Sequence, residues 1–227
     1  MKRSGVLGEP VSQSVSRMSQ QRQGVMGQSA SQLSHPAPQR ISLGEHLQQH
    51  LELFRGLPAL SSVVDEAARV VASALREGHK LLLCGNGGSA ADAQHMAAEF
   101  TGRFVNDRRP LAALALSTDT SALTCIANDY GFEEVFRRQL LALAQAGDVL
   151  LAISTSGKST NVIRAAEAAR AARVRTIGLL GCGGGPLAAL CDTAIIVPSE
   201  VTARVQEAHI FIGHTLCSLV EQALSLA

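Results

Sequence analysis

Lys80-Leu-Leu-Leu-Cys-Gly-Asn-Gly-Gly-Ser-Ala-Ala-Asp-Ala-Gln-His-Met-Ala-Ala-Glu99 joins an apolar run, a glycine turn and an alanine-rich segment without a break. The run from Lys80 to Cys84 reads as a buried parallel strand, because nearly every position is apolar. Gly85-Asn-Gly-Gly88 follows as a tight turn, and Ser89 is expected to cap the helix that begins there. A strand, a glycine turn and a helix N-terminus in succession present backbone N–H groups to an anion. His95 and Glu99, four residues apart, fall on one face of that helix. The pair suits a metal ion or a proton transfer, and equally a plain surface ion pair.

The same alternation extends outward from this stretch. Strands are expected over Lys80–Cys84, Leu111–Leu116, Asp148–Ser154, Arg175–Leu180 and Thr193–Pro198. Helices are expected over Leu43–Leu57 and Leu60–Glu77, then Ser89–Phe104, Phe132–Ala146, Ser159–Ala172 and Thr202–Leu224. Apolar strands alternating with helices imply a parallel sheet covered on both faces, with ligands beyond the C-terminal strand ends. Three loops then share one rim: Gly85–Ser89, Ser117–Asp129 and Ser154–Ser159. Residues 41–227 read as a single domain.

Composition narrows the function classes. Hydrophobic residues make up 46% of the 227, enough for one substantial core, but aromatics are only 3% and Trp is absent. A base-stacking platform needs more aromatics, and a net charge of +1 argues against strong direct nucleic-acid or membrane binding. No apolar run approaches a membrane span. Cys84, Cys125, Cys182, Cys191 and Cys217 are odd in number and scattered, as in a reducing compartment.

Residues 1–40 differ from the rest. They hold eight Ser, seven Gln, five Lys/Arg and one acid, with no aromatic, and are expected to be disordered. The remainder carries 15 basic and 18 acidic residues, a net charge of about −3. The extension superficially resembles a transit peptide, yet it reads better as dispensable, with Met18 and Met26 as further candidate starts.

A second turn, Ser154-Thr-Ser-Gly-Lys-Ser159, follows the strand ending at Ile153 and precedes an alanine-rich helix. Four hydroxyls and a glycine there suit a phosphate monoester, or serve only as helix caps. Ile153 stands where a nucleoside-triphosphate loop needs its first glycine, and the first turn lacks the dinucleotide G-x-G-x-x-G. In the last helix Gln206, Glu207, His209 and His214 lie among apolar residues and need hydrogen-bonding partners or a metal. Asn128-Asp129 precedes Tyr130-Gly131 and reads, by itself, as a helix-ending turn.

Four stretches, CGNGGSAADAQHMAAEF (84–100), LTCIANDYGFEEVF (123–136), GDVLLAISTSGKSTNVI (147–163) and ARVQEAHIFIGH (203–214), together resemble the sedoheptulose 7-phosphate isomerases, or phosphoheptose isomerases, of the sugar isomerase (SIS) domain superfamily. The resemblance runs from about Leu51 to Leu224. It implies a flavodoxin-like three-layer α/β sandwich with a five-stranded parallel sheet, a cytoplasmic homotetramer, and active sites at subunit interfaces. The implied reaction turns sedoheptulose 7-phosphate into D-glycero-D-manno-heptose 7-phosphate through an enediol, for bacterial heptose and lipopolysaccharide precursors. By position, Asn86, Gly87 and Gly88 line the substrate and Asn128 and Asp129 contact the sugar, while Ser154, Thr155, Ser156 and Ser159 hold the phosphate. His95, Glu99, Gln206 and His214 match the zinc positions, one Zn²⁺ per subunit, with Glu99 and Gln206 also at the substrate. Glu99 and His214 match the proton-transfer residues.

Gln206 and His214 stand eight residues apart, roughly 12 Å along a helix, and His209 competes with them as a ligand. Lys158 replaces a common Asn beside the phosphate loop, and Ala203 stands where some members carry an acid. A sister group sharing the fold binds the bacterial replication initiator instead, and only on that alternative is the initiator a partner. Retention of Glu99, which decayed members lose, favours the enzyme. Sugar-phosphate-sensing regulators and amidotransferase-linked synthases need domains for which this length leaves no room.

Overall fold

Five apolar runs pair side by side as one parallel sheet in a computed structural model that describes residues 41–226. The expected disordered extension over residues 1–40 lies outside the described residues. The strands are β1 (Leu81–Cys84), β2 (Ala113–Ala115), β3 (Val149–Ser154), β4 (Arg175–Leu180) and β5 (Thr193–Ile196), in the order β2-β1-β3-β4-β5. Leu83 of β1 pairs with Ala115 on one side and Leu151 on the other. This is the flavodoxin-like order, in which the connections leave β1 and β3 toward opposite faces and open a crevice between them.

Alternation along the strands divides the core in two. Leu81, Leu83, Val149, Leu151, Ile153, Ile177 and Leu179 face one layer, while Leu82, Cys84, Leu150, Ala152 and Leu180 face the other. Each fully buried leucine contributes about 1.5–3 kcal/mol relative to exposure.

On the first face lie α2 (Ser61–Arg76), α3 (Gly88–Thr101) and α8 (Thr202–Ala223). Val64, Ala67, Ala68, Val71, Ala74 and Leu75 form the buried stripe of α2 at helical spacing. The second face carries α5 (Val135–Leu143) and α6 (Thr160–Ala171), with Leu187 of the short α7 (Gly185–Ala188). Ahead of them α1 (Leu43–Gly56) ends in a 3₁₀ turn at Leu57–Leu60, where Pro58 cannot continue the helix. Leu43, Leu47 and Leu51 recur every fourth residue of α1 and are exposed.

Several expected boundaries move. The Leu111–Leu116 strand shortens to three residues, because β2 is an edge with a partner on one side only. The loop expected over Ser117–Asp129 is mostly α4 (Thr120–Tyr130), capped by the Asp119 carboxylate, which accepts from Ala122 N at 2.9 Å. Ser89 does not cap α3. Gly87 holds that position at φ +54, and Ser89 is buried inside the first turn. All five cysteines are free, with Cys84 and Cys217 buried and Cys125 exposed. Among the described residues no helix is long and apolar enough to cross a membrane.

Candidate active site

The two turns after β1 and β3 meet across the crevice. Asn86 and Asn161 exchange side-chain amide hydrogen bonds: Asn86 Nδ2 donates to Asn161 Oδ1 at 2.9 Å, and Asn161 Nδ2 donates to Asn86 Oδ1 at 2.8 Å. Asn161 Oδ1 also accepts from Val162 N at 3.0 Å, which locks it to the first turn of α6. Asn161 is buried, so this link is built into the fold. Sequence reasoning passed over it, although its signal was present: a polar residue directly ahead of the apolar positions Val162 and Ala165 on the inner face of α6.

Gly87 takes a left-handed φ that other residues avoid. Gly88 is needed for space, since a Cβ there would run into the Gln206 side-chain amide. The N–H groups of Ser89, Ala90 and Ala91 are already bonded to the carbonyls of Asn86 and Gly87. This first turn therefore offers fewer free donors to an anion than an open helix start.

Hydroxyls organise the second turn. Ser154 is buried; its Oγ accepts from Gly157 N at 3.1 Å and meets Ser159 Oγ at 3.1 Å. Ser156 Oγ accepts from Lys158 N at 3.2 Å. Thr155, Ser156 and Ser159 are partly exposed, so they are the hydroxyls of this loop that can reach a ligand. Gly157 (φ +62) presses against the Gly184–Gly185 backbone, and its carbonyl accepts from Leu187 N at 3.2 Å. A depression of about 340 Å³ beside the loop is lined by Asn86, Phe132, Glu133, Ser159, Thr160 and Asn161.

A second group forms where α3 and α8 run side by side. His95, Glu99 and His214 bring ligand atoms within 4.8 Å of one another. His95 Nε2 lies 3.4 Å from Glu99 Oε1 and 2.9 Å from His214 Nε2. Close approach of the two helices depends on Gly213, where a Cβ would strike the Met96 sulfur at 2.8 Å. The Phe104 ring packs on His214 with centroids 5.5 Å apart. Two imidazoles and a carboxylate are a fitting donor set for zinc. Oxygen and nitrogen 3.4 Å apart match the spacing of neighbouring ligands around a tetrahedral ion bound at about 2.1 Å.

The Gln206 side-chain amide lies against Gly88 at the start of α3. His209, the competing ligand, is fully buried and belongs to no metal-binding group among the described residues. Neither of its ring nitrogens has a well-aligned hydrogen bond there. Burial pushes its pKa down to about 4 against a small opposing effect of the Leu180 backbone, so it is a neutral core residue at pH 7. Asp92, one turn before His95, has its pKa raised by burial, with the His95 charge opposing.

Asn128 and Asp129 occupy the last turn of α4 and are exposed. Asn128 Nδ2 donates to Asp129 Oδ1 at 2.7 Å. They do not line the depression beside the 154–159 loop. An apolar groove bounded by Phe54, Leu57, Phe211 and Leu219 lies between α1 and α8 and carries none of the candidate residues.

The SIS-domain family model matches residues 46–181. A phosphoheptose isomerase from Nitratiruptor is 60% identical over 157 residues, covering 69% of this chain and 84% of the relative. Among solved structures, phosphoheptose isomerase from Neisseria gonorrhoeae is 45% identical with a TM-score of 0.75, and that from Francisella tularensis is 36% identical with a TM-score of 0.77. Each alignment covers 79% of this chain and 96% of the solved one.

Proposed function

This chain belongs to the phosphoheptose isomerases of the SIS-domain family, and from that premise we propose how its residues perform the reaction. The enzyme interconverts sedoheptulose 7-phosphate and D-glycero-D-manno-heptose 7-phosphate, the entry to bacterial heptose precursors. Isomerisation moves one proton from C1 to C2 through an enediol. Glu99 is the base that takes the C1 proton and returns it to C2, while His214 gives a proton to the C2 oxygen and takes one back from the C1 hydroxyl. Glu99 Oε1 faces His95, which leaves its second oxygen for the substrate.

Thr155, Ser156 and Ser159 hold the phosphate by hydroxyl donation, with Ser154 bracing the loop. Asn86, Gly87 and Gly88 line the sugar, with Asn86 oriented by Asn161. Asn128, Asp129 and Gln206 contact the sugar's far end. His95, Glu99, Gln206 and His214 are the residues that would hold one Zn²⁺ per subunit. When bound, the ion supplies Lewis-acid polarisation of the carbonyl and a positive charge beside the enediolate.

The site is shared between subunits. From Gly88 to Glu99 is 11 residues, about 16 Å along α3. A seven-carbon phosphate spans only about 10 Å when extended. Gly88 and Glu99 of one chain are therefore too far apart along α3 to bracket one substrate, which supports an assembly in which one subunit completes the site of another. The exposed leucines of α1 offer an apolar face for that assembly, a homotetramer. Residues 41–227 act as one SIS domain, and five unpaired cysteines suit a cytoplasmic enzyme.

The observation that carries this reading is the convergence of His95, Glu99 and His214 from helices more than 100 residues apart in sequence. Initiator binding, the alternative, gains no support from relatives that bear isomerase names. Incubation of the purified chain with sedoheptulose 7-phosphate, followed by NMR of the aldose anomeric proton, tests it. Failure to form the aldose overturns the reading.

A further inference from the structure

Arg108 and Glu221 are the most deeply buried ion pair among the described residues, each side chain 2% exposed, and the reaction described above uses neither. Arg108 Nε donates to Glu221 Oε1 at 2.6 Å. Its remaining nitrogens turn to carbonyls. Nη2 donates to Glu99 O at 2.8 Å, and Nη1 donates to Phe100 O at 2.8 Å, Gly102 O at 3.0 Å and Arg109 O at 3.1 Å. The carbonyls of Glu99 and Phe100 belong to the last turn of α3, which a helix cannot satisfy by itself. A cation at this end also opposes the helix dipole.

Glu221 reaches in the other direction. Its Oε1 also accepts from Phe104 N at 3.3 Å, and the Phe104 ring packs on His214. One buried pair thus fastens the backbone of Glu99 and the ring that backs His214. Glu221 stands on α8, seven residues beyond His214, so the pair also ties the C-terminal end of α3 to α8 just past the point where His95 meets His214.

We propose that Arg108 and Glu221 are positioning residues that set the spacing of Glu99 and His214, and so tune both proton transfer and divalent-cation affinity. The proposal rests on the isomerase reading for its first effect and only on the His95–Glu99–His214 group for its second. Arginine is required because its planar fork serves a carboxylate and several carbonyls at once; lysine keeps the charge and loses the fork. Groups that orient metal ligands typically matter 10- to 100-fold in affinity or activity.

Arg108→Lys and Glu221→Gln are compared with the parent in two measurements: isomerase kinetics, and Zn²⁺ titration of the metal-stripped protein by calorimetry. Asp148→Asn, which breaks the remote Lys80–Asp148 pair, serves as a control for lost stability alone. The expected result for Arg108→Lys is a fall in kcat of about 10- to 100-fold, KM within about twofold, and Zn²⁺ affinity weakened about 10-fold. Glu221→Gln is expected to shift both in the same direction by less, and Asp148→Asn to lower only the melting temperature. Unchanged kcat and unchanged Zn²⁺ affinity in Arg108→Lys, with a lowered melting temperature, overturn the proposal. If that variant does not fold, Glu221→Gln decides on the same two readouts. An inactive parent overturns the isomerase reading instead, and the Zn²⁺ titration still judges the positioning role.

Discussion

His95 Nε2 and His214 Nε2 face each other at 2.9 Å, a separation that two protonated nitrogens do not tolerate. One ring must present a lone pair, so the contact is a hydrogen bond between the rings or the start of a metal site. We expect one Zn²⁺ per chain. His95→Ala should weaken binding at least 10-fold by calorimetry. Undiminished affinity would remove His95 from the ligand set.

Glu99→Gln keeps the size of the side chain and abolishes its basicity. The expected loss in kcat is about 10²- to 10⁴-fold with KM little changed. Retention of most isomerase activity would sink the assignment of Glu99 as base.

Removing the Ser159 hydroxyl deletes the proposed donor to the phosphate and the partner of Ser154 Oγ. A hydrogen bond to a charged group is worth about 1.5–3 kcal/mol, so Ser159→Ala should raise KM for the sugar phosphate about 10-fold or more. Inhibition by inorganic phosphate should weaken in parallel. If KM holds while kcat drops, the loop does not bind the phosphate.

Gly157→Ala places a Cβ on the Gly184 carbonyl at a left-handed φ of +62. The strain should cost about 1–3 kcal/mol and lower the thermal midpoint. A midpoint equal to the parent's would mean that the 154–159 loop moves freely away from the Gly184–Gly185 turn.

Asp148 provides the acid-side dependence of stability. Burial raises its pKa, but hydrogen bonds from the Lys80 side chain and from the Lys80 and Gln145 backbones outweigh this and hold it below 3.8. A carboxylate lowered on folding stabilises above its unfolded pKa, and that contribution fades as pH falls through the lower folded value. Denaturation of Asp148→Asn and parent should therefore differ by a constant amount above about pH 5 and converge below about pH 4. A gap that persists at pH 2 would show that packing, not charge, is responsible.

The strands were readable because burial on both faces leaves an apolar run whatever its neighbours are. The extent of β2 and the helix α4 were not. Leu111–Leu116 has the composition of a strand but lies at an edge and pairs over only three residues, and the helix Thr120–Tyr130 buries only a short stripe, Leu123, Ile126 and Ala127, in part. His95 and Glu99 could be paired from a spacing of four. His214 joined them only through resemblance to a family, since 119 residues of chain separate it from His95. Asn161 left only one faint mark, a polar residue ahead of the apolar positions Val162 and Ala165, and Arg108 left none, because its hydrogen bonds join segments distant in sequence and carry no periodic trace.

The sequence by itself determined the parallel α/β class, the two turns that follow β1 and β3 and the family, since local chemistry and hydrophobic period are written residue by residue. Only the tertiary structure decided that Gln206 meets Gly88, that His209 is core, and that Arg108 and Glu221 fasten the helix carrying Glu99. Those outcomes depend on which helix faces pack together, and packing is settled by long-range burial and close contact rather than by spacing along the chain.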